Sequence, residues 1–259
     1  MTSKRNEREQ LRRARKEKRS QAPELSRANA GRQDIHKRIL IVGEGVNTEP
    51  SYFDKFRVPG VKVVAKGLGE GTRKLVNDVE SVRADEERKQ GVPFDEIWVA
   101  FDKDSFKDFE QAIREANDKG YQVAYSNQAI EYWFILHFKD HQGSAMPRTE
   151  YAKALNELLK PYGISYDPDA KEITEELFDV LLKNLQTAFD RACRIYANKC
   201  GRGCPTEESV TTIFQLVHAI TGIITTEEKR ALAQKELSMK KAGVVKKGAR
   251  GQVSDMNDG

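Results

Sequence analysis

Two short apolar runs that each end abruptly in acidic residues constrain this chain more than any other feature. Ile39, Leu40, Ile41 and Val42 run unbroken into Gly43-Glu44-Gly45, and Ile97, Trp98, Val99, Ala100 and Phe101 run into Asp102-Lys103-Asp104. A run that is apolar at every position has no wet face, so it reads as a strand buried on both sides, as in a parallel sheet covered by helices. The intervening stretches agree. Tyr52, Phe53 and Phe56 recur at helical spacing after Thr48-Glu49-Pro50, as do Leu75, Val76, Val79 and Val82, then Phe106, Phe109, Ile113 and Ala116. Val61, Val63 and Val64 supply another strand, Tyr121 to Tyr125 a fourth, and Glu131 to Phe138 a further helix. Repeated strand, loop and helix predicts an α/β domain with a mostly parallel sheet, helices on both faces and a ligand crevice at the strands' carboxyl ends.

Local chemistry marks the element ends. Asn47 or Thr48 is the expected cap of the first helix, with Pro50 in its first turn, and Asn127 the expected cap of the helix carrying Glu131. Beyond about His141 the pattern turns helical: Tyr151, Leu155, Leu158 and Leu159 form one stripe, and Leu177, Leu181, Leu185, Ala188 and Ala192 a longer one. Thr225 and Glu228 have capping-box spacing. The organisation is therefore a basic flexible leader over 1–37, an α/β domain over 38–141, a helical extension over 142–240 and a flexible tail over 241–259.

A length of 259 residues accommodates one large domain with appendages. Apolar residues are 38%, charged residues 32%, and mean hydropathy is −0.68. Nothing approaches the ~18 consecutive apolar residues of a membrane span, and the arginine-rich start has no apolar stretch with a cleavage site behind it. A cytoplasmic protein is expected. The net charge of +4 is unevenly spread: residues 1–38 hold 13 Lys/Arg against 5 Asp/Glu and residues 240–259 hold 5 against 2, so an acidic body carries basic ends. Such ends give phosphate affinity with little sequence readout, or are simply solvated. Cys193, Cys200 and Cys204 are too few and too clustered for a disulfide framework.

Three acids stand at strand ends: Glu44, Asp102 and Asp104. Parallel strands bring such positions to one crevice. Crowded carboxylates repel unless a proton or cation intervenes, and hard divalent ions such as Mg²⁺ or Mn²⁺ favour oxygen ligands. A metal site of Glu44, Asp102 and Asp104 is the expectation, against the plainer reading of solvated loop acids. Glu131, one turn into an apolar helix, is a fourth candidate. Glu49 reads more as a helix-start charge than as a metal-facing acid. His137 is either a proton shuttle or a buried histidine.

Other motifs are weaker. His137 and His141 lack a His-Glu-x-x-His context, and Cys200 and Cys204 lack zinc-knuckle spacing. Gly67, Gly69 and Gly71 fit neither a P-loop nor a Rossmann fingerprint. Lys66 and Arg73 flank that glycine run as candidate phosphate contacts, the loop of Lys199, Gly201, Arg202 and Gly203 is a fainter one, and Lys103 is expected to point away from the acids.

The motif set resembles the RloB-like family, a Toprim-related group from bacterial phage-defence and abortive-infection loci. The resemblance lies in Ile41-Val42-Gly43-Glu44-Gly45 with Thr48-Glu49-Pro50 and Tyr52-Phe53, Phe101-Asp102-Lys103-Asp104 with Phe109, and Tyr125-Ser126-Asn127, Glu131, Trp133 and His137-Phe138. It implies a Toprim-like three-layer domain, with the Toprim glutamate at Glu44 and its Asp-x-Asp pair at Asp102 and Asp104. Relatives carry Pro and Phe where this chain has Gln128 and Ile130, which puts the local turn in doubt. It also implies a separate AAA/SMC-like ATPase partner, in keeping with the missing P-loop.

The expected function is a Mg²⁺- or Mn²⁺-dependent endonuclease acting on RNA, tRNA included, or on DNA, in anti-phage defence. Catalysis falls to Glu44, Asp102, Asp104 and Glu131. The alternative is a nucleic-acid-binding or regulatory subunit of an ATPase-containing defence complex without its own turnover. A homo-oligomer is compatible with either, and no membrane partner is expected.

Overall fold

The computed structural model describes residues 35–69, 71–103, 109–200 and 209–235. Asp104, Arg202, Cys204, nearly all of the basic leader and the whole tail lie outside the described residues. The described part of Lys37–Gly259 forms one compact unit.

Four strands make the sheet: β1 (Lys37–Gly43), β2 (Val61–Gly67), β3 (Glu96–Lys103) and β4 (Gln122–Asn127). All pairings are parallel and the order is β2-β1-β3-β4. The chain leaves β1 toward β2, then crosses back to β3 on the other side. That reversal sits between β1 and β3, where the outward loops diverge and open a crevice.

The period of two along each strand divides its side chains between two cores. Leu40, Val42, Val64, Val99, Phe101 and Tyr125 face helices α2 (Thr72–Gln90) and α3 (Phe109–Asp118). Ile39, Ile41, Val63, Ala65, Trp98, Ala100 and Ala124 face the opposite way. There they meet α1 (Thr48–Phe53), α4 (Glu131–Leu136), α5 (Arg148–Leu159), α6 (Glu175–Lys183), α7 (Leu185–Cys200) and α8 (Ile213–Thr221). The result is a three-layer α/β domain whose second face is covered largely by the helical extension.

The long stripe from Leu177 to Ala192 is two helices, not one: Asn184 breaks it and returns its side-chain amide to the Val180 carbonyl at 2.9 Å. The capping box holds, because the Thr225 amide donates to Glu228 Oε2 at 2.8 Å and the Glu228 amide to Thr225 Oγ1 at 3.1 Å. The outer edge of β4 is covered by residues 209–212. The Asn127 amide donates to the Val210 carbonyl at 2.9 Å and the Thr212 amide to the Tyr125 carbonyl at 2.7 Å, so that strand leaves no open template there.

Candidate functional site

Glu44 leaves β1 where the ladder ends, and its amide still donates to the Ala100 carbonyl of β3 at 2.8 Å. The loop after β2 is pulled against it: the Leu68 amide donates to the Gly43 carbonyl at 3.0 Å and the Gly69 amide to the Glu44 carbonyl at 2.9 Å. Glycine is what permits this approach. A Cβ on Gly67 would lie 2.0 Å from the Gly45 carbonyl oxygen, and one on Gly45 would lie 2.1 Å from Glu49 Oε2. The side-chain-free Gly67 therefore lets the two loops pack together, with Gly69 held in the left-handed region at φ +68°.

A cavity of about 290 Å³ opens here, lined by Glu44, Glu49, Asp102, Ile130, Glu131, Arg148 and Lys171. Glu44 and Asp102 thus meet at one crevice, as strand ends predict, while Asp104 lies outside the described residues. Glu131 joins them from the start of α4. Glu49 also faces the cavity, nine-tenths buried or more, rather than standing as a solvated helix-start charge. Gln128 takes φ +68°, which a proline cannot adopt, so this turn is built differently from one with Pro at that position.

Four carboxylates in a small space create an electrostatic problem. Burial pushes the Asp102 carboxyl well above its ordinary range, the Glu49 charge adds to this, Arg148 opposes it, and Glu131 and Glu44 raise it further. Glu49 is raised by burial first and by Glu131, while backbone N–H groups and Arg148 pull the other way. Two oxygens stay orphaned: Glu49 Oε2 and Glu131 Oε2 are buried with no hydrogen-bond partner. Glu131 Oε1 accepts from the Tyr166 hydroxyl at 2.8 Å.

Arg148 was not foreseen. It is the first residue of α5, and its guanidinium is hydrogen-bonded and ion-paired to Asp102 Oδ2. A cation in the first turn of a helix opposes the dipole, so an arginine directly after Pro147 signals an acidic partner elsewhere. Nothing local says which one.

Several expectations are corrected. Asn47 occupies the cap position of α1 without capping it; its side chain donates to the Ala170 carbonyl at 3.2 Å, tying a loop of the helical half to the crevice rim. Asn127 does not cap α4, whose cap position is Ile130 and has no side-chain cap bond. Lys66 and Arg73 pair with Glu86 and Glu115, each at 3.4 Å, outside the cavity lining. Lys103 does not line the cavity, and its ammonium lies 4.8 Å from the centre of the Phe109 ring. His137 is buried against Trp133, with Nδ1 3.0 Å from the Trp133 carbonyl, and does not line the cavity.

Among the described residues, no group of three or more His, Cys, Asp or Glu side chains is arranged to hold a metal ion. The donor chemistry nonetheless suits a hard divalent cation, since the crevice offers carboxylate oxygens and two of them are orphaned.

The sequence matches the family described as RloB-like protein over residues 39–220. The chain belongs to that family. No curated protein matches the chain. No solved structure matches it either. Membership in the RloB-like family is consistent with a nucleic-acid-related role in defence, and the matched span takes in the acidic crevice, the helix that supplies Arg148 and the loop that supplies Tyr166. Among the described residues of this RloB-like chain, no helix is long and apolar enough to cross a membrane.

Proposed function

We propose that the chain is a divalent-metal-dependent nuclease that cleaves phosphodiester bonds of RNA or DNA in the cytoplasm, as part of anti-phage defence. One observation carries this reading: Glu44 and Asp102, from the ends of adjacent parallel strands, line one cavity with the buried acids Glu49 and Glu131. Burying Glu49, Asp102 and Glu131 together beside the half-buried Glu44 is costly, and a site that uses their charge accounts for that cost.

In this reading Glu44 and Asp102, with Asp104, hold Mg²⁺ or Mn²⁺. When bound, such an ion stabilises charge on phosphate oxygens and lowers the pKa of its water. Glu44, the least buried of the four acids in the cavity, is placed to take a proton from an attacking water. Glu131, steadied by Tyr166, orients that water. The basic ends of the chain supply sequence-independent attraction to the polyanion.

A second reading draws on Arg148. Because Asp102 already has a cationic partner, the crevice can also belong to a non-hydrolytic nucleic-acid-binding subunit that works with a separate ATPase. Incubation with labelled total RNA and plasmid DNA, with Mg²⁺, Mn²⁺ or chelator, separates the two. The nuclease reading expects strand cleavage that needs metal and falls at least ~100-fold in Glu44→Gln and Asp102→Asn, with folding intact. Cleavage that persists in both variants, or with chelator, refutes it. Binding without turnover in the presence of the defence locus's ATPase favours the second reading.

A further inference from the structure

The Arg148 side chain is 44% exposed whereas its partner Asp102 is only 10% exposed, so the guanidinium reaches from the rim into the acidic floor of the crevice. Its charge acts on Asp102, Glu49 and Glu131 together. A divalent cation approaching Asp102 meets an oxygen that is already engaged and a like charge beside it. Arg148 is also the first residue of α5, so its long side chain can swing off Asp102 without unfolding the helix. Once free it faces the same mouth through which a substrate phosphate must come, and a planar guanidinium matches phosphate oxygens in pairs.

We propose that Arg148 is the resident counter-ion of the crevice, that a divalent cation binds Asp102 by displacing it, and that the displaced guanidinium then holds a phosphate of the nucleic-acid substrate. This rests on the metal-dependent reading above. It makes metal and substrate cooperative: the ion releases the residue that grips the polyanion, and the polyanion keeps that residue from returning to Asp102.

The test is a calorimetric titration of the full chain with Mn²⁺ alone, in wild type, Arg148→Gln, Arg148→Lys and the double variant Arg148→Gln/Asp102→Asn, with thermal melts to confirm folding. Removing the competitor should tighten Mn²⁺ binding roughly 10- to 100-fold in Arg148→Gln, and the double variant should lose that gain. Arg148→Lys keeps a point charge without the planar fork and should fall between wild type and Arg148→Gln, so it serves if the glutamine variant does not fold. At saturating Mn²⁺, Arg148→Gln should raise KM for nucleic acid with a smaller change in kcat. Unchanged or weaker Mn²⁺ affinity in Arg148→Gln, with wild type binding, overturns the displacement and leaves the nuclease reading intact. An unchanged KM overturns the phosphate grip. If neither wild type nor Arg148→Gln binds Mn²⁺, both this inference and the metal-dependent reading fall.

Discussion

The hydroxyl of Tyr166 donates to Glu131 Oε1 at 2.8 Å, joining the loop after α5 to the carboxylate that opens α4. Burial and the Glu131 charge push the Tyr166 phenol upward, so it stays protonated and remains a donor at any physiological pH. With Glu131 Oε2 already orphaned, this bond is what keeps the buried carboxylate oriented. Tyr166→Phe should lower stability by about 1–3 kcal/mol, because it strands a buried acceptor. It should also slow metal-dependent cleavage about tenfold, because Glu131 then orients the attacking water less well. Urea denaturation and cleavage assays check the two effects; a variant as stable as wild type would show that Glu131 does not depend on this hydroxyl.

The glycines of the two apposed loops should differ sharply in tolerance. A Cβ at Gly67 would collide with backbone, at 2.0 Å from the Gly45 carbonyl oxygen and 2.7 Å from Val46 Cα, and backbone cannot swing aside as a side chain can. A Cβ at Gly71 would meet nothing within 4 Å, and Gly71 has an ordinary φ of −62°. Gly67→Ala should cost about 1–3 kcal/mol, while Gly71→Ala should stay within about 0.5 kcal/mol of wild type. Melting curves of the two variants give the comparison, and equal losses would contradict the close approach of these loops.

The strands were legible because β1 and β3 each carry an unbroken apolar run, Ile39 to Val42 and Ile97 to Phe101, that leaves no wet face. Their parallel pairing also made the meeting of Glu44 and Asp102 legible, since strand ends share an edge regardless of sequence distance. Glu49 does stand in the first turn of α1, as its position suggested, but its burial was not legible. An acid at the start of a helix is ordinarily a solvated partner of the dipole, and what buries this one is the missing side chain at Gly45, a long-range packing fact. Arg148 gave only an indirect sign, a cation where the helix dipole disfavours one. Lys66 and Arg73 flank glycines, and α2 and α3 present Glu86 and Glu115 to them, pairings that no local pattern encodes.

Behind the crevice, α1 and α4 are locked by one polar contact inside an aromatic cluster. Trp133 Nε1 donates to the Tyr52 hydroxyl at 2.9 Å, and Tyr52 packs edge-on against Phe53, Phe56, Phe134 and Phe178. Both Tyr52 and Trp133 are essentially inaccessible to water. Tyr52→Phe preserves the packing and removes the acceptor, which leaves a buried indole N–H without a partner at a cost of about 1–3 kcal/mol. The companion Tyr52→Phe/Trp133→Phe should lose less than the sum of its single variants, because it removes both halves of the bond. Chemical denaturation of the four proteins closes the cycle; strict additivity would deny the coupling.

His137 makes the fold sensitive to acid. Burial lowers its imidazole to about 3, with the Arg191 charge adding to this, while the Trp133 and Phe134 carbonyls oppose it; Nε2 is buried without a hydrogen-bond partner. In the unfolded chain the same imidazole binds its proton near 6.5, so below that pH the unfolded state takes up a proton that the folded state refuses. The stability associated with neutral His137 is therefore complete above pH ~6.5 and declines as pH falls toward ~3, by up to about 1.4 kcal/mol per pH unit. A His137→Gln variant lacks this linkage. Between pH 7 and pH 5 the stability difference between wild type and His137→Gln should shift by about 2 kcal/mol in favour of the variant, which cancels the contribution of every other titrating group common to both. Urea unfolding at the two pH values measures the shift, and a difference that does not move with pH would mean that His137 takes up its proton in the folded chain as readily as in the unfolded one.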